Sequence, residues 1–410
     1  LCFIVKLTAF ALIAGQILAW QAMPLYACEK GKVDASAVLT ADNNAFAFDM
    51  YTMLALCGQG ENVFFSPFSI SVAMGMTYAG AKGNTEKQMA STLHFSLPQG
   101  DLHAAFSLLS DQLEPAEGKG YKLSIANALW GQRGYPFTTD FLSLVNKNYG
   151  GGFRVVDFAN DTESSRQTIN RWVESKTNDK IKDLLQQGDV TYLTRLVLTN
   201  AIYFKGDWAA KFKKEETRTA PFYVRPDQTV EVPMMRQTGR FSYAAVAGGQ
   251  VLEMPYVGSE LSMVVLLPKD GADGLGTELT PVLLDSWLDA LSEQAVAISL
   301  PRFKLQTRYG LVDTLAGMGM PDAFELPPAD FSGMTGGKDL YITKVIHQAF
   351  IEVNEEGSEA AAATGVVMGM KSAPVVVNEF KADRPFVFLI RHKATGAILF
   401  LGRVANPVGK

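Results

Sequence analysis

An α+β fold in one large domain is expected from three features of the sequence. Helical periodicity is concentrated early, strand-like runs dominate later, and no Pro/Gly/Ser linker, repeat or low-complexity block divides the 410 residues. The length alone suggests two or three domains, but 48% of the residues are apolar, enough for one large core. The formal net charge is −5, with Lys and Arg scattered rather than clustered. Nucleic acid is therefore not an expected partner, and no basic stripe suggests a polyanion site.

At the start of the chain Lys6 precedes an apolar run from Leu7 to Met23, then Leu25-Tyr26-Ala27-Cys28, so residues 1–27 read as a signal peptide. The run is short for a membrane span, and Gln16 and Gln21 break it. Leu25, Ala27 and Cys28 resemble a bacterial lipoprotein box, in which Tyr26 is atypical, so Cys28 is a lipidation candidate beside ordinary secretion. Either route puts the mature protein outside the cytosol, secreted or held at a bacterial cell surface, with the lipid as its one expected membrane contact. The other cysteines, Cys2 and Cys57, cannot build a disulfide framework once the signal is gone. Cys57 continues the stripe Phe46, Met50, Met53, Leu54 at helical spacing and reads as a small core side chain.

Helices are expected over Ala45 to Leu56, around Ser69 to Tyr78, and through "TESSRQTINRWVESKTNDKIKDLL", residues 162–185. Strands are expected at "RLVLTNAIYF", "VLEMPYV", "LSMVVLLP", "VAISLPRFKL", "HQAFIEVN", "PFVFLIRH" and "AILFLGRVANP". Large mixed or antiparallel sheets follow. Catalytic signatures are missing. His94, His103, His347 and His392 stand in no H-E-x-x-H or Cys/His pattern, and no G-x-S-x-G elbow, P-loop or G-x-G-x-x-G after a strand occurs. An enzyme, a metal site and a cofactor are not expected.

The segment "EEGSEAAAATGVVMGMKSAPVVV", residues 355–377, fits no ordinary element. Ser358 could cap a helix over Glu359 to Ala363, but that helix has no apolar stripe before Val366 and is interrupted by Gly365 and Gly369. A linker does not normally carry Val-Val-Met and Val-Val-Val unprotected. A third reading is a strand-in-waiting. Ser358, Ala360, Ala362 and Thr364 would form its inward face and Glu359, Ala361 and Ala363 its outward one, all small enough to enter a sheet.

Together these stretches resemble the serpin family over nearly all of the chain after the signal. "NEEGSEAAAATG" resembles the inhibitory hinge, "FKADRPFVFLI" and "FLGRVANP" the closing strands, and "NVFFSPFSISVAMGM" and "LVLTNAIYFKGDW" the shutter and breach segments. The resemblance implies one domain at 40–410 with three β-sheets, about nine helices and an exposed reactive-centre loop at about 355–380. Insertion of that loop is the family's known example of strand addition. In inhibitory relatives the hinge glycine stands fourteen residues before the attacked carbonyl, and from Gly357 that count reaches Lys371, followed by Ser372.

Lys371 is also the only basic residue between Glu355 and Asn378, which suits the buried carboxylate of trypsin-like proteases; Met370 and Met368 are secondary candidates. The implied function is suicide inhibition. The protease forms an acyl-enzyme at Lys371, and residues 357–371, about 50 Å of extended chain, insert into the central sheet with it. Gly357, Ser358, Glu359, Ala360, Ala361, Ala362, Ala363 and Thr364 form the hinge. His347 resembles the shutter histidine, with Ser66, Ser69 and Asn200 as partners. Glu355 and Arg302 resemble a charge pair at the top of the insertion gap, and Trp208 the breach tryptophan.

The resemblance further implies a metastable monomer whose failure mode is a loop–sheet polymer. The alternative is a non-inhibitory carrier or chaperone, a class that usually departs from the small-residue hinge. A heparin-like cofactor is not expected, because "SDQLEPAEGKGYKL" is poor in Lys and Arg. Asn160-Asp161-Thr162 forms a glycosylation sequon, which counts only outside bacteria.

Overall fold

A computed structural model describes residues 34–58, 60–114, 120–269, 279–358 and 377–409. The chain starts with α1 (Ala35–Cys57), whose first N–H groups are capped by the Asp34 carboxylate at 3.0 and 3.3 Å. After β1 (Val63–Phe65), Ser66 caps α2 (Pro67–Tyr78), with Pro67 at the first helical position, where its missing N–H costs nothing. The series continues with α3 (Gly83–Thr92), α4 (Gln99–Leu113), β2 (Tyr121–Gln132), α5 (Thr139–Asn148), β3 (Phe153–Val156), α6 (Thr162–Lys176) and β4 (Leu196–Asp207). Next come β5 (Arg218–Arg225), β6 (Gln228–Val246), β7 (Gly249–Pro255), β8 (Leu261–Pro268), α7 (Pro281–Asp289), β9 (Ser292–Pro301), β10 (Phe303–Gly310), α8 (Val312–Met318) and α9 (Ser332–Thr335). The last elements are β11 (Val345–Asn354), β12 (Gly357–Ser358), β13 (Asn378–Lys381), β14 (Phe386–His392) and β15 (Ile398–Val404).

The central sheet has the order β10-β11-β12-β4-β2-β3, with β11 also pairing directly with β4. Nine further strands form an array, β1-β15-β14-β8-β7-β6-β9-β13 with β5 on β6. The long β6 is shared. Its first part pairs with β5 and β9, its last five residues with β7, so the array divides there into two sheets and the expected total of three is reached. Pairing is mostly antiparallel; β11–β4, β2–β3 and β13–β9 are parallel.

Both faces of the central sheet are covered. The main core, with Phe46, Phe64, Phe68, Leu198, Ile202, Phe204 and Phe400, fills one side. On the other, α6 and the segment after it place Ile169, Val173, Ile181, Leu184, Leu185 and Val190 on Val197, Tyr203, Ile346 and Phe350. Double burial makes β4 and β11 read as nearly continuous apolar runs, because neither face needs polar residues.

Three expectations need correction. The third helix ends at Lys176 rather than Leu185, since Asn178, Asp179 and Asp183 take left-handed φ of 50, 58 and 50°, which Asn and Asp tolerate with little strain. "VAISLPRFKL" is two strands in different sheets, parted at Pro301–Arg302, where Arg302 N–H bonds Pro233 instead of a ladder partner. Cys57 is exposed while Phe46, Met50, Met53 and Leu54 are buried, because the helix leaves the core in its last turn.

Candidate functional site

The upper end of the central sheet is where the hinge begins. After β11 the chain turns at Asn354–Gly357 and comes back as β12, antiparallel to both neighbours: Ser358 lies opposite Val353 and Gly206, Gly357 opposite Asn354 and Asp207. Gly357 has φ +151°, and a Cβ there would stand 2.0 Å from the Gly206 carbonyl oxygen, so this close approach admits only glycine. Ser358 is fully buried, its hydroxyl hydrogen-bonded to that of Tyr256 at 2.9 Å. Burial drives the Tyr256 phenol far above its usual range, the Ser358 bond offsetting this only in part, so it stays a neutral hydroxyl.

The two glutamates before Gly357 are both buried. Glu355 is 2% and Glu356 9% exposed. The Glu355 carboxylate accepts from Arg302 Nε at 2.8 Å, from a second Arg302 nitrogen and from the Thr217 hydroxyl. Burial pushes this carboxyl up, but the bonds from Arg302 and Thr217 outweigh it and hold the group below its ordinary value. Glu356 is held below its ordinary value by Lys214, 2.6 Å away. Trp208, 2% exposed, stacks on Tyr256 with ring centroids 4.7 Å apart and donates from Nε1 to the Asn354 carbonyl at 3.0 Å.

Below β12 the parallel β11–β4 pairing closes the sheet, from Val345 opposite Leu198 to Phe350 opposite Tyr203. At its middle lies a buried polar cluster. His347 Nδ1 donates to Asn200 Oδ1, while its Nε2 accepts from the Ser66 backbone N–H at 3.1 Å. Because Nε2 accepts, the ring is neutral, with its proton on Nδ1. The Asn200 amide donates to Ser69 Oγ at 2.9 Å and to Asn127 Oδ1 at 2.8 Å, and Ser69 Oγ donates to Asn127 at 2.9 Å. The cluster thus joins α2, β2, β4 and β11 across the line where the sheet would open.

The neutral His347 has a pH signature. Burial pulls its pKa from 6.5 to about 3, so between those values an unfolded chain takes up a proton that the native one refuses. Stability is whole above pH 6.5 and falls as pH drops toward 3, by up to about 1.4 kcal/mol per pH unit. His103, pulled to about 4 by burial, contributes in the same direction. The urea midpoint should therefore fall from pH 7 to pH 5, and His347→Gln should lower it at pH 7 while flattening that fall by about half.

The sequence names His347, Ser66, Ser69 and Asn200 as one cluster, Glu355 and Arg302 as a charge pair, and Trp208 as a breach residue; the structure sets the cluster and the pair in contact and packs Trp208 on Tyr256, bonded to the Asn354 and Glu356 carbonyls. It adds Asn127, Thr217, Lys214, Glu356 and Tyr256, none singled out from sequence. Asn127 stands in an unrecognised strand, "YKLSIANALWGQ", and Lys214 and Thr217 in a charged loop, so only spatial proximity marks them. Glu359 to Thr364, Met368, Met370, Lys371, Ser372 and Cys28 lie outside the described residues.

A protein-family model described as Serpin (serine protease inhibitor) matches residues 41–407. Leukocyte elastase inhibitor of Xenopus tropicalis is 44% identical over 370 residues, covering 88% of this chain and 97% of that protein. Leukocyte elastase inhibitor of Homo sapiens is 43% identical over 381 residues, covering 90% and 99%. Among solved structures, uncleaved ovalbumin superimposes with a TM-score of 0.81 at 33% identity, covering 90% of this chain and all of that one.

Proposed function

The chain belongs to the serpin family, an α+β single-domain family of protease inhibitors rather than enzymes, and from that premise we propose that it traps trypsin-like serine proteases by suicide inhibition at Lys371–Ser372. The observation that carries the proposal is β12. Two residues of the hinge already occupy the slot between β11 and β4, and their register defines where the rest would go. Because β11 and β4 run parallel, a chain turning back from the top of β11 is antiparallel to both. Insertion exchanges one parallel pairing for two antiparallel ones, a gain in hydrogen bonds that makes the open sheet metastable.

On insertion, the same register continued one residue at a time would put Ala360 between Phe204 and Ile351, Ala362 between Ile202 and Ala349, and Thr364 between Asn200 and His347. Ser358 points into the core, so by alternation an inserted strand would turn Ala360, Ala362 and Thr364 there as well. Side chains of this size can pass beneath Tyr256 and enter the His347 cluster. Glu359 would then take the outward face, between Lys205 and Glu352.

The covalent step balances as ordinary acyl transfer. The protease serine oxygen bonds the Lys371 carbonyl carbon, the bond from that carbon to the Ser372 nitrogen breaks, and the protease histidine passes the serine's proton to the departing amine. Insertion must then outrun attack by water on the ester. The named relatives inhibit elastase, a protease with a small specificity pocket, whereas a lysine at position 371 fits a deep pocket ending in a carboxylate, which favours trypsin-like targets here.

Mixing the protein lacking residues 1–28 with trypsin should give a detergent-stable species at the summed mass and release a peptide beginning at Ser372. Clean cleavage after Lys371 with trypsin fully active would instead indicate the carrier or chaperone alternative.

A further inference from the structure

We propose that Arg308 and Asp189 form a charged brace across the outer face of the seam between β11 and β4, so that ionic strength sets how readily the central sheet opens. The brace is a property of the closed sheet itself; only its consequence for the speed of trapping rests on the reading above.

The brace is carried by the connector between α6 and β4, residues 177–195, which crosses the seam from outside. Its Leu184, Leu185 and Val190 share one core with Val197 and Tyr203 of β4 and with Ile346 and Phe350 of β11. Lys180 Nζ stands 5.9 Å above the Phe350 ring, and Tyr203 and Phe350 meet across the seam with ring centroids 6.0 Å apart. The connector is fastened on both sides at neighbouring residues. Toward α6, Asn170 Nδ2 donates to the Leu185 carbonyl at 2.9 Å, Asn170 Oδ1 accepts from Leu185 N–H at 2.9 Å, and Arg166 Nη1 donates to the same carbonyl at 2.7 Å. Toward the other flank, Arg308 of β10 donates from Nε to the Leu184 carbonyl at 3.1 Å and from Nη2 to Asp189 Oδ2 at 2.5 Å. Lys344, just ahead of β11, stands 3.4 Å from Asp189 Oδ1.

Opening the seam pulls these fastenings in opposite directions. β10 moves with β11, because their ladder runs from Phe303 opposite Val353 to Gly310 opposite Ile346. α6 stays with β2, where Ile169 and Val173 share the core of Ala126, Ala128 and Trp130. The connector cannot follow both, so one set of bonds must part. The apolar contacts and the Asn170 amide respond little to salt, whereas the Arg308 side is ionic. The side chains of Arg308 and Asp189 are 28% and 15% exposed, so ions reach the pair, yet partial burial makes its bond stronger than that of a surface pair.

Hydrogen exchange reads this opening without any protease. Amides of the ladder from Val345 opposite Leu198 to Phe350 opposite Tyr203 should exchange about tenfold faster in Asp189→Asn than in the parent, while amides between β2 and β4 keep the parent rate. Asparagine keeps an oxygen for Gln186 N–H, which donates to Asp189 Oδ2 at 2.8 Å, so the local turn is preserved. Arg308→Met retains an apolar stem and should act alike. Raising NaCl from about 0.05 M to about 1 M should speed the parent's seam exchange about threefold and leave Asp189→Asn unchanged. Arg240→Gln, which removes an exposed pair with Glu293 in another sheet, should match the parent. Equal seam exchange in the parent and both variants, an equal salt response in the parent and Asp189→Asn, or an acceleration spread over all sheets would overturn the brace and leave the trapping reading intact. The expected exchange pattern in a protein that fails to trap trypsin would uphold the brace and remove the trapping reading.

Discussion

Thr364→Arg is expected to turn this protein from a trap into a substrate. Trypsin should still cleave after Lys371 at about the parent rate, but no detergent-stable complex should accumulate and trypsin activity should return in full. The register carries the argument. Six residues beyond Ser358, position 364 arrives between Asn200 and His347, which are 1% and 0% exposed, on the buried face of the sheet. A guanidinium there meets a neutral imidazole, two amides and two serines, and no carboxylate of that cluster. Burying an unpaired charge costs several kcal/mol, enough to slow insertion by about a thousandfold or more and let water win the race for the ester. Ala360→Pro should reach the same result by another route, because it removes a ladder N–H between Phe204 and Ile351 where the inserting strand needs one on either side. A covalent complex formed in good yield by either variant would refute the proposed path of insertion.

Lys371→Val should change the target and spare the trap. Trypsin recognises an extended cation with a buried carboxylate, and a site built for such a polar partner rejects an analogue lacking it by about 10³-fold or more. Trypsin inhibition should fall by that factor, while an elastase with a small pocket should now be trapped. The unfolding free energy read from a urea titration should change by less than about 0.5 kcal/mol. Between Glu355 and Asn378 no other basic residue can substitute, so undiminished trypsin inhibition would place the reactive bond outside this segment.

Much of the molecule was legible before any coordinate. The strands "LSMVVLLP" and "PFVFLIRH" announce themselves by their apolar runs Met263–Leu267 and Phe386–Ile390, because strands covered on both faces carry few polar residues. The strand Tyr121–Gln132 was missed because Ser124, Asn127 and Gly131 weaken its signal, yet the fold needs two of them. Asn127 joins the His347 cluster, and a Cβ at residue 131 would stand 2.5 Å from the Phe153 ring. The 19-residue β6 was missed for a similar reason, since Pro233 and Gly239 interrupt the pattern on which strand recognition depends.

The small-residue hinge run and the motifs of the closing strands are local properties of the chain, and the resemblance to the serpin family is legible in them. Partners are not local. That Glu355 is buried against Arg302 and Thr217 and that Cys57 points to solvent both depend on how segments far apart in sequence come together. Periodicity tells which face of a strand turns inward, because alternation is written residue by residue. It is silent on which strand lies alongside and in what register, because those are settled by how the whole core closes.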